Sequence, residues 1–232
     1  MHFSPFYFNF EYLMWMLPGL VLALWAQYKV RSTYHSAMQV AAPLSGAGAA
    51  RHVLDSAGLN DVQIEEIGGQ LSDHYDPRHR VLRLSTDVYR NRTAAAVGIA
   101  AHEAGHALQH AFGYAPLAIR NAAVPVASFG SNAAILILLV GAVMNWFSLI
   151  VAGILLFSAV VFFQLVNLPV EFNASSRAKE QLVRLGILGD EQMAYVRKML
   201  SAAALTYVAG TLQAILTLLY YVSVFAGGDR RD

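Results

Sequence analysis

Four uninterrupted apolar segments run through this chain, at 12–28, 122–144, 146–168 and 202–225, and none of them holds a Lys, Arg, Asp or Glu. No other feature restricts the fold as much. A helix needs about 20 apolar residues to cross a hydrocarbon core of about 30 Å. Inside lipid every backbone N–H and C=O must be bonded within the protein, so single segments of this kind cross as helices. Buried helices of a soluble domain would be shorter and fewer. Composition agrees, with 56% hydrophobic and 13% charged residues and a mean hydropathy of +0.45, a balance outside the range of ordinary soluble domains. The expected fold is that of a mainly α, multi-pass membrane protein with four transmembrane helices.

Charge placement predicts its orientation. Of sixteen Lys and Arg residues, nine lie from Lys29 to Arg120 and five from Arg177 to Lys198, leaving only Arg230 and Arg231 beyond the last segment. Basic residues near span ends stay in the cytoplasm, so both long polar stretches are expected there, with the N-terminus and the Asn145 turn outside a plasma or inner membrane. The first segment reads as a retained anchor: no Lys or Arg precedes it, Glu11 adjoins it, and no clear small-x-small cleavage site follows. The absence of cysteine excludes disulfides and thiolate metal sites. A net charge of +1 gives no electrostatic basis for nucleic-acid binding.

The pattern divides the chain into a first span (12–28), a polar unit (31–115), a membrane hairpin of two spans (122–168), a short polar helical stretch (171–201) and a last span (202–225). Within the polar unit, 45–58 reads as a helix and 62–67 as a strand. A turn at Asp76-Pro77-Arg78-His79 leads to a period-two strand, Val81-Leu82-Arg83-Leu84. Helices are expected at 171–185, after Pro169, and at 190–201, the latter running into the last span. Gly227-Gly228-Asp229 reads as a disordered tail.

Chemistry enters at His102-Glu103-Ala104-Gly105-His106. On a helix, residues four apart share a face, so His102 and His106 can grip one metal ion, while Glu103 projects about 100° round the axis towards a water on that metal. Thr93 or Asn91 can cap the helix, alanines fill it, and Gly113 can end it. A zinc hydrolase needs this HExxH arrangement. Two histidines satisfied by nearby carbonyls would produce the same letters.

A catalytic zinc site requires a third protein ligand and an open position. The carboxylates between residues 107 and 200 are Glu171, Glu180, Asp190 and Glu191. Glu171 stands out because an even number of spans separates it from His106, so both emerge on the same side. A first-turn carboxylate favoured by the helix dipole after Pro169 is the alternative.

The chain resembles the YugP-like family of integral-membrane zinc metallopeptidases. The resemblance is carried by Gln70-Leu71-Ser72-Asp73-His74-Tyr75-Asp76-Pro77, Leu82-Arg83-Leu84-Ser85 with Val88-Tyr89, the HEAGH helix, Leu168-Pro169-Val170-Glu171-Phe172 with Ala174-Ser175-Ser176-Arg177-Ala178, and Leu205-Thr206-Tyr207-Val208-Ala209. More distantly the layout is similar to that of HtpX-type membrane proteases. The resemblance implies a small α+β, zincin-like cytoplasmic protease unit, one Zn²⁺ held by His102, His106 and Glu171, and Glu103 as general base. The distant relatives carry an Asp four residues after the ligand Glu, where this chain has Ser175, so a hydroxyl would take the place of a carboxylate beside a zinc-bound histidine.

Several further residues are candidates for a supporting or oxyanion role: Arg177, permanently charged but off the Glu171–Ser175 face; His110, which continues the His102–His106 stripe; and His74 in the preceding hairpin. A salt bridge, a polar pocket and turn stabilisation are their ordinary explanations. In zinc peptidases of this general design an edge strand before the motif helix holds substrate by strand addition, and Val81, Leu82, Arg83 and Leu84 occupy that place. The expected partners are the lipid bilayer and peptide or membrane-protein substrates, as in membrane-protein quality control, and self-association stays open. The competing function is a zinc-binding membrane scaffold without turnover. A metal transporter would want carboxylates or histidines within the spans, and these have none.

Overall fold

A computed structural model describes residues 10–70 and 72–226; the expected disordered tail at Gly227-Gly228-Asp229 lies outside them. The element order is α1 (Phe10–Met38), α2 (Gly46–Ser56), β1 (Gln63–Ile67), β2 (His74–Asp76), β3 (Val81–Ser85), α3 (Thr86–Arg90), α4 (Ala94–Ala111), α5 (Ala115–Val143), α6 (Phe147–Arg184) and α7 (Asp190–Ala226). The protein is mainly helical with one small sheet. Among the described residues four helices, α1, α5, α6 and α7, are long and apolar enough to cross a membrane. Two compact units divide the chain: one of Ile119–Leu168 with the chain up to Trp25 and from Thr206 on, the other of Ala26–Ala118 with Pro169–Leu205.

The first unit leaves many large apolar side chains on its outside, around a small apolar core of Ala134, Phe157, Val161 and Ala214. Phe129, Leu136, Leu155 and Phe162 are exposed, whereas Asn167, Thr211 and Thr217 are buried. The buried hydroxyls return to their own helix, Thr211 to the Tyr207 carbonyl and Thr217 to the Gln213 carbonyl, each at 2.8 Å. Small residues let the hairpin helices close: a Cβ on Gly153 would lie 2.7 Å from Leu138 Cγ.

The second unit has an ordinary aliphatic core, with Val53, Leu54, Leu82, Leu84, Val97, Leu108, Leu182 and Val196 all essentially inaccessible. Helix α4 runs through it, and alanines at 94, 95, 96, 100, 101, 104 and 107 keep it thin enough to be surrounded. The sheet order is β1-β3-β2, with β3 parallel to β1 and antiparallel to β2.

Two expectations need correction. Val81, Leu82, Arg83 and Leu84 do not form an edge strand: β3 is the central strand, and its hydrogen-bonding edges are taken by β1 and β2, so no substrate strand can add there. Alternation along a strand reports which face is covered and carries no information about its neighbours in the sheet. Nor does a new helix begin after Pro169, since α6 continues from Phe147 to Arg184 with that proline inside it. Only the bond from one missing N–H is lost at such a residue, and packing on both sides can hold the helix together.

Candidate metal centre

Helix α4 is fixed at both ends before it presents any ligand. The Thr93 hydroxyl accepts from the Ala96 N–H at 3.2 Å as N-cap, and Gly113, at φ +62°, closes the other end. Four residues apart, the His102 and His106 rings come to 4.9 Å between centroids at 83°. The neighbouring stretch of α6 faces them. Gly105 makes this approach possible: a Cβ there would lie 2.6 Å from the Ala174 carbonyl oxygen. One turn earlier on α6, Glu171 reaches both rings, its Oε2 lying 3.3 Å from His102 Nε2 and 3.8 Å from His106 Nε2.

The ligand atoms of His102, His106 and Glu171 all lie within 4.8 Å of one another, and the group can hold a single metal ion. Zinc fits it. Tetrahedral coordination with bonds near 2.0–2.1 Å separates neighbouring ligand atoms by roughly 3.3 Å; the two Glu171–histidine distances, 3.3 and 3.8 Å, lie near that value. Two imidazoles and one carboxylate are also the donor set of open, catalytic zinc sites.

Each histidine is held from behind. Ser175 Oγ lies 3.1 Å from His102 Nδ1. Gln109 Oε1 lies 3.0 Å from His106 Nδ1, while its Nε2 donates to the Val170 carbonyl at 2.7 Å and to Asn173 Oδ1 at 3.1 Å. Neither partner is a carboxylate.

Glu103 lies next to this cluster in a buried position. Burial pushes its carboxyl up to about 7; the negative fields of Glu171 and Asp73 add to the effect, while the His102 charge and the Tyr75 backbone N–H oppose it. For His102, burial lowers the imidazole, but the bond to Glu171 and the charges of Glu103 and Glu171 outweigh it and leave it raised.

The other candidates fall elsewhere. Arg177 stays out of the cluster; its Nε donates to Asn173 Oδ1 at 2.8 Å and its guanidinium lies over the Phe112 and Tyr114 rings at 5.9 and 6.0 Å. His110 is exposed and meets the Tyr75 hydroxyl at 2.9 Å. His74 is exposed on β2, its ring 2.8 Å from the Ser72 carbonyl. Sequence reasoning missed Gln109 and Asn173. The available signal was a glutamine three residues after His106, on a helix otherwise built from small and apolar residues, at a spacing that lets the two side chains meet.

These features define a zinc-peptidase type of site, and comparison with known proteins agrees. The chain belongs to the family described as "Putative neutral zinc metallopeptidase", whose model matches residues 12–226. It is 47% identical over 214 residues to the "Putative membrane protease YugP" of Bacillus subtilis (strain 168), covering 91% of this chain and 95% of that protein. No solved structure matches the chain.

Proposed function

We propose that the protein is a membrane-embedded zinc endopeptidase whose catalytic unit faces the cytoplasm. The observation that carries the proposal is the buried His102–His106–Glu171 cluster with Glu103 beside it. Zinc, when bound, polarises a scissile carbonyl and lowers the pKa of its water. Glu103, buried beside the cluster, would take a proton from that water and pass it to the leaving amine. No nucleophilic Ser or Cys is required. An extended peptide can add to the outer edge of β2, the outermost strand on that side of the sheet, where the Tyr75 N–H already reaches Glu103.

The fourteen-to-two division of basic residues supports the cytoplasmic orientation. Glu171 follows Leu168 by three residues on one continuous helix, a rise of about 5 Å. The proposed substrates are therefore extended segments of membrane proteins, cut next to a span, in the manner of membrane-protein quality control.

The test is Glu103→Gln, purified in detergent. Zinc content and fold should be kept while cleavage of an unfolded protein such as casein falls by roughly 10²–10⁴-fold. Near-normal turnover would remove Glu103 as the base.

A further inference from the structure

We infer that Gln109 is a positioning residue that fixes the tautomer of His106 and ties it to the backbone carrying Glu171. The inference builds on the reading of His102, His106 and Glu171 as zinc ligands, although the geometry behind it does not depend on a metal. Gln109 is completely buried, so its amide has only protein partners to satisfy it. A primary amide has one donor end and one acceptor end. The Val170 carbonyl, 2.7 Å away, can only accept, so the NH₂ end must face it.

A second constraint arrives from the opposite side. Arg177 has donors and no acceptor, and its Nε lies 2.8 Å from Asn173 Oδ1. The Asn173 oxygen therefore sits at the junction, and it accepts from Gln109 Nε2 as well, at 3.1 Å. With the NH₂ end committed twice, Oε1 is left for His106, and His106 Nδ1 must carry the hydrogen at 3.0 Å. Its Nε2 then keeps a lone pair on the side of Glu171 Oε2. Because Val170 directly precedes Glu171, one amide secures a ligand of α4 and the peptide bearing the ligand of α6.

His102 lacks this arrangement. The Ser175 hydroxyl at its Nδ1 can donate or accept, so it holds the ring without choosing a tautomer. Removing Gln109 thus loosens two of three ligands and frees a tautomer, whereas removing the Ser175 hydroxyl loosens one.

The experiment uses full-length protein in detergent, labelled with nitrogen-15 at histidine, with His106 assigned by its loss in His106→Asn. In the zinc-free wild type at alkaline pH, two-bond proton–nitrogen correlations should show His106 in the Nδ1–H form alone. Gln109→Met should give a mixture of forms and bind zinc, in competition with a chelator, roughly 10–100-fold more weakly. Ser175→Ala should leave the His106 pattern unchanged. Asn173→Asp keeps an acceptor for both neighbours and should behave as wild type, whereas Asn173→Leu should partly release the tautomer. A role in packing alone would lower the melting temperature of Gln109→Met without altering the tautomer. A wild type with the hydrogen on His106 Nε2 overturns the inference even if Gln109→Met fails to fold, and so does a variant with unchanged tautomer and affinity. If the wild type binds no zinc but keeps the Nδ1–H form, the metal reading fails and this one stands.

Discussion

Helix α6 holds two opposite environments in one continuous element. Over 147–168 it turns large apolar groups outward, with Leu155 66% and Phe162 52% exposed. From Val170 to Ala178 it buries polar ones, with Glu171 at 4% and Ser175 at 7%. In water the first half would forgo about 1.5–3 kcal/mol for each large side chain left uncovered, which accords with a helix long and apolar enough to cross a membrane. The second half would be equally unfavourable if its polar atoms lacked partners. Ser175 is matched to His102, and Glu171 Oε2 sits 3.3 and 3.8 Å from the two histidine Nε2 atoms, where a metal ion shared with them would satisfy it. A single helix can thus serve as an anchor and as a wall of a metal site, because what differs is the set of neighbours each half was given.

The most drastic way to break this comparison is to ask whether the apolar half separates two compartments. The chain has no native cysteine, so single cysteines report cleanly. A thiol placed at position 145, ahead of α6, should be labelled only from outside; thiols at 184, its far end, and at 92 only from the cytoplasm. Labelling of 92 and 184 from opposite sides would contradict the account, since His106 and Glu171 could not then share an ion.

A graded effect is expected where α4 meets the polar half. Gly105→Ala should gain up to about 1 kcal/mol from helix propensity. The added Cβ would, however, lie 2.6 Å from a backbone oxygen of α6, and such overpacking costs about 1–3 kcal/mol. The clash should win, lowering the melting temperature and weakening zinc binding together. A variant that melts higher and keeps its zinc would show that the close approach is not needed.

The smallest effect belongs to exposed polar contacts. Asp76 accepts from His79 Nδ1 at 2.7 Å and from an Arg83 guanidinium nitrogen at 2.8 Å. With His79 contributing most, then Arg83, its carboxyl is held well below the ordinary value of 3.8. A lowered carboxylate stabilises the fold above its unfolded value and stops doing so as pH falls through the folded one. Asp76→Asn should therefore melt slightly below wild type at neutral pH, and the gap should begin to narrow only below about pH 4 and vanish as pH falls through the much lower folded value. A gap independent of pH would assign the effect to something other than the charge.

Legibility in the sequence followed the range of the interactions. The HEAGH pair and the closing Gly113 are local and readable from spacing alone, and the cap is narrowed by sequence to Thr93 or Asn91, of which the fold uses Thr93. Glu171 was reachable because counting spans is a topological argument that needs no packing detail. Gln109 was not, since its partners Val170 and Asn173 lie 61 and 64 residues away and only the folded contact between α4 and α6 reveals them. The place of β3 was misread for a related reason. Its alternation says which side chains are covered, but strand order depends on where two other short strands fall. Pro169 misled as well, because the proline's local effect argues for a boundary that tertiary contacts overrode.

The central claim is that the polar half of α6 completes a zinc site while the apolar half does not take part in it, and zinc stoichiometry tests this most directly. Wild-type protein purified in detergent should carry about one zinc per chain. Glu171→Ala should lose it, and Leu165→Ala, on the apolar half of the same helix, should retain it. A wild type without zinc, or a Glu171→Ala variant that keeps its full complement, would contradict the account.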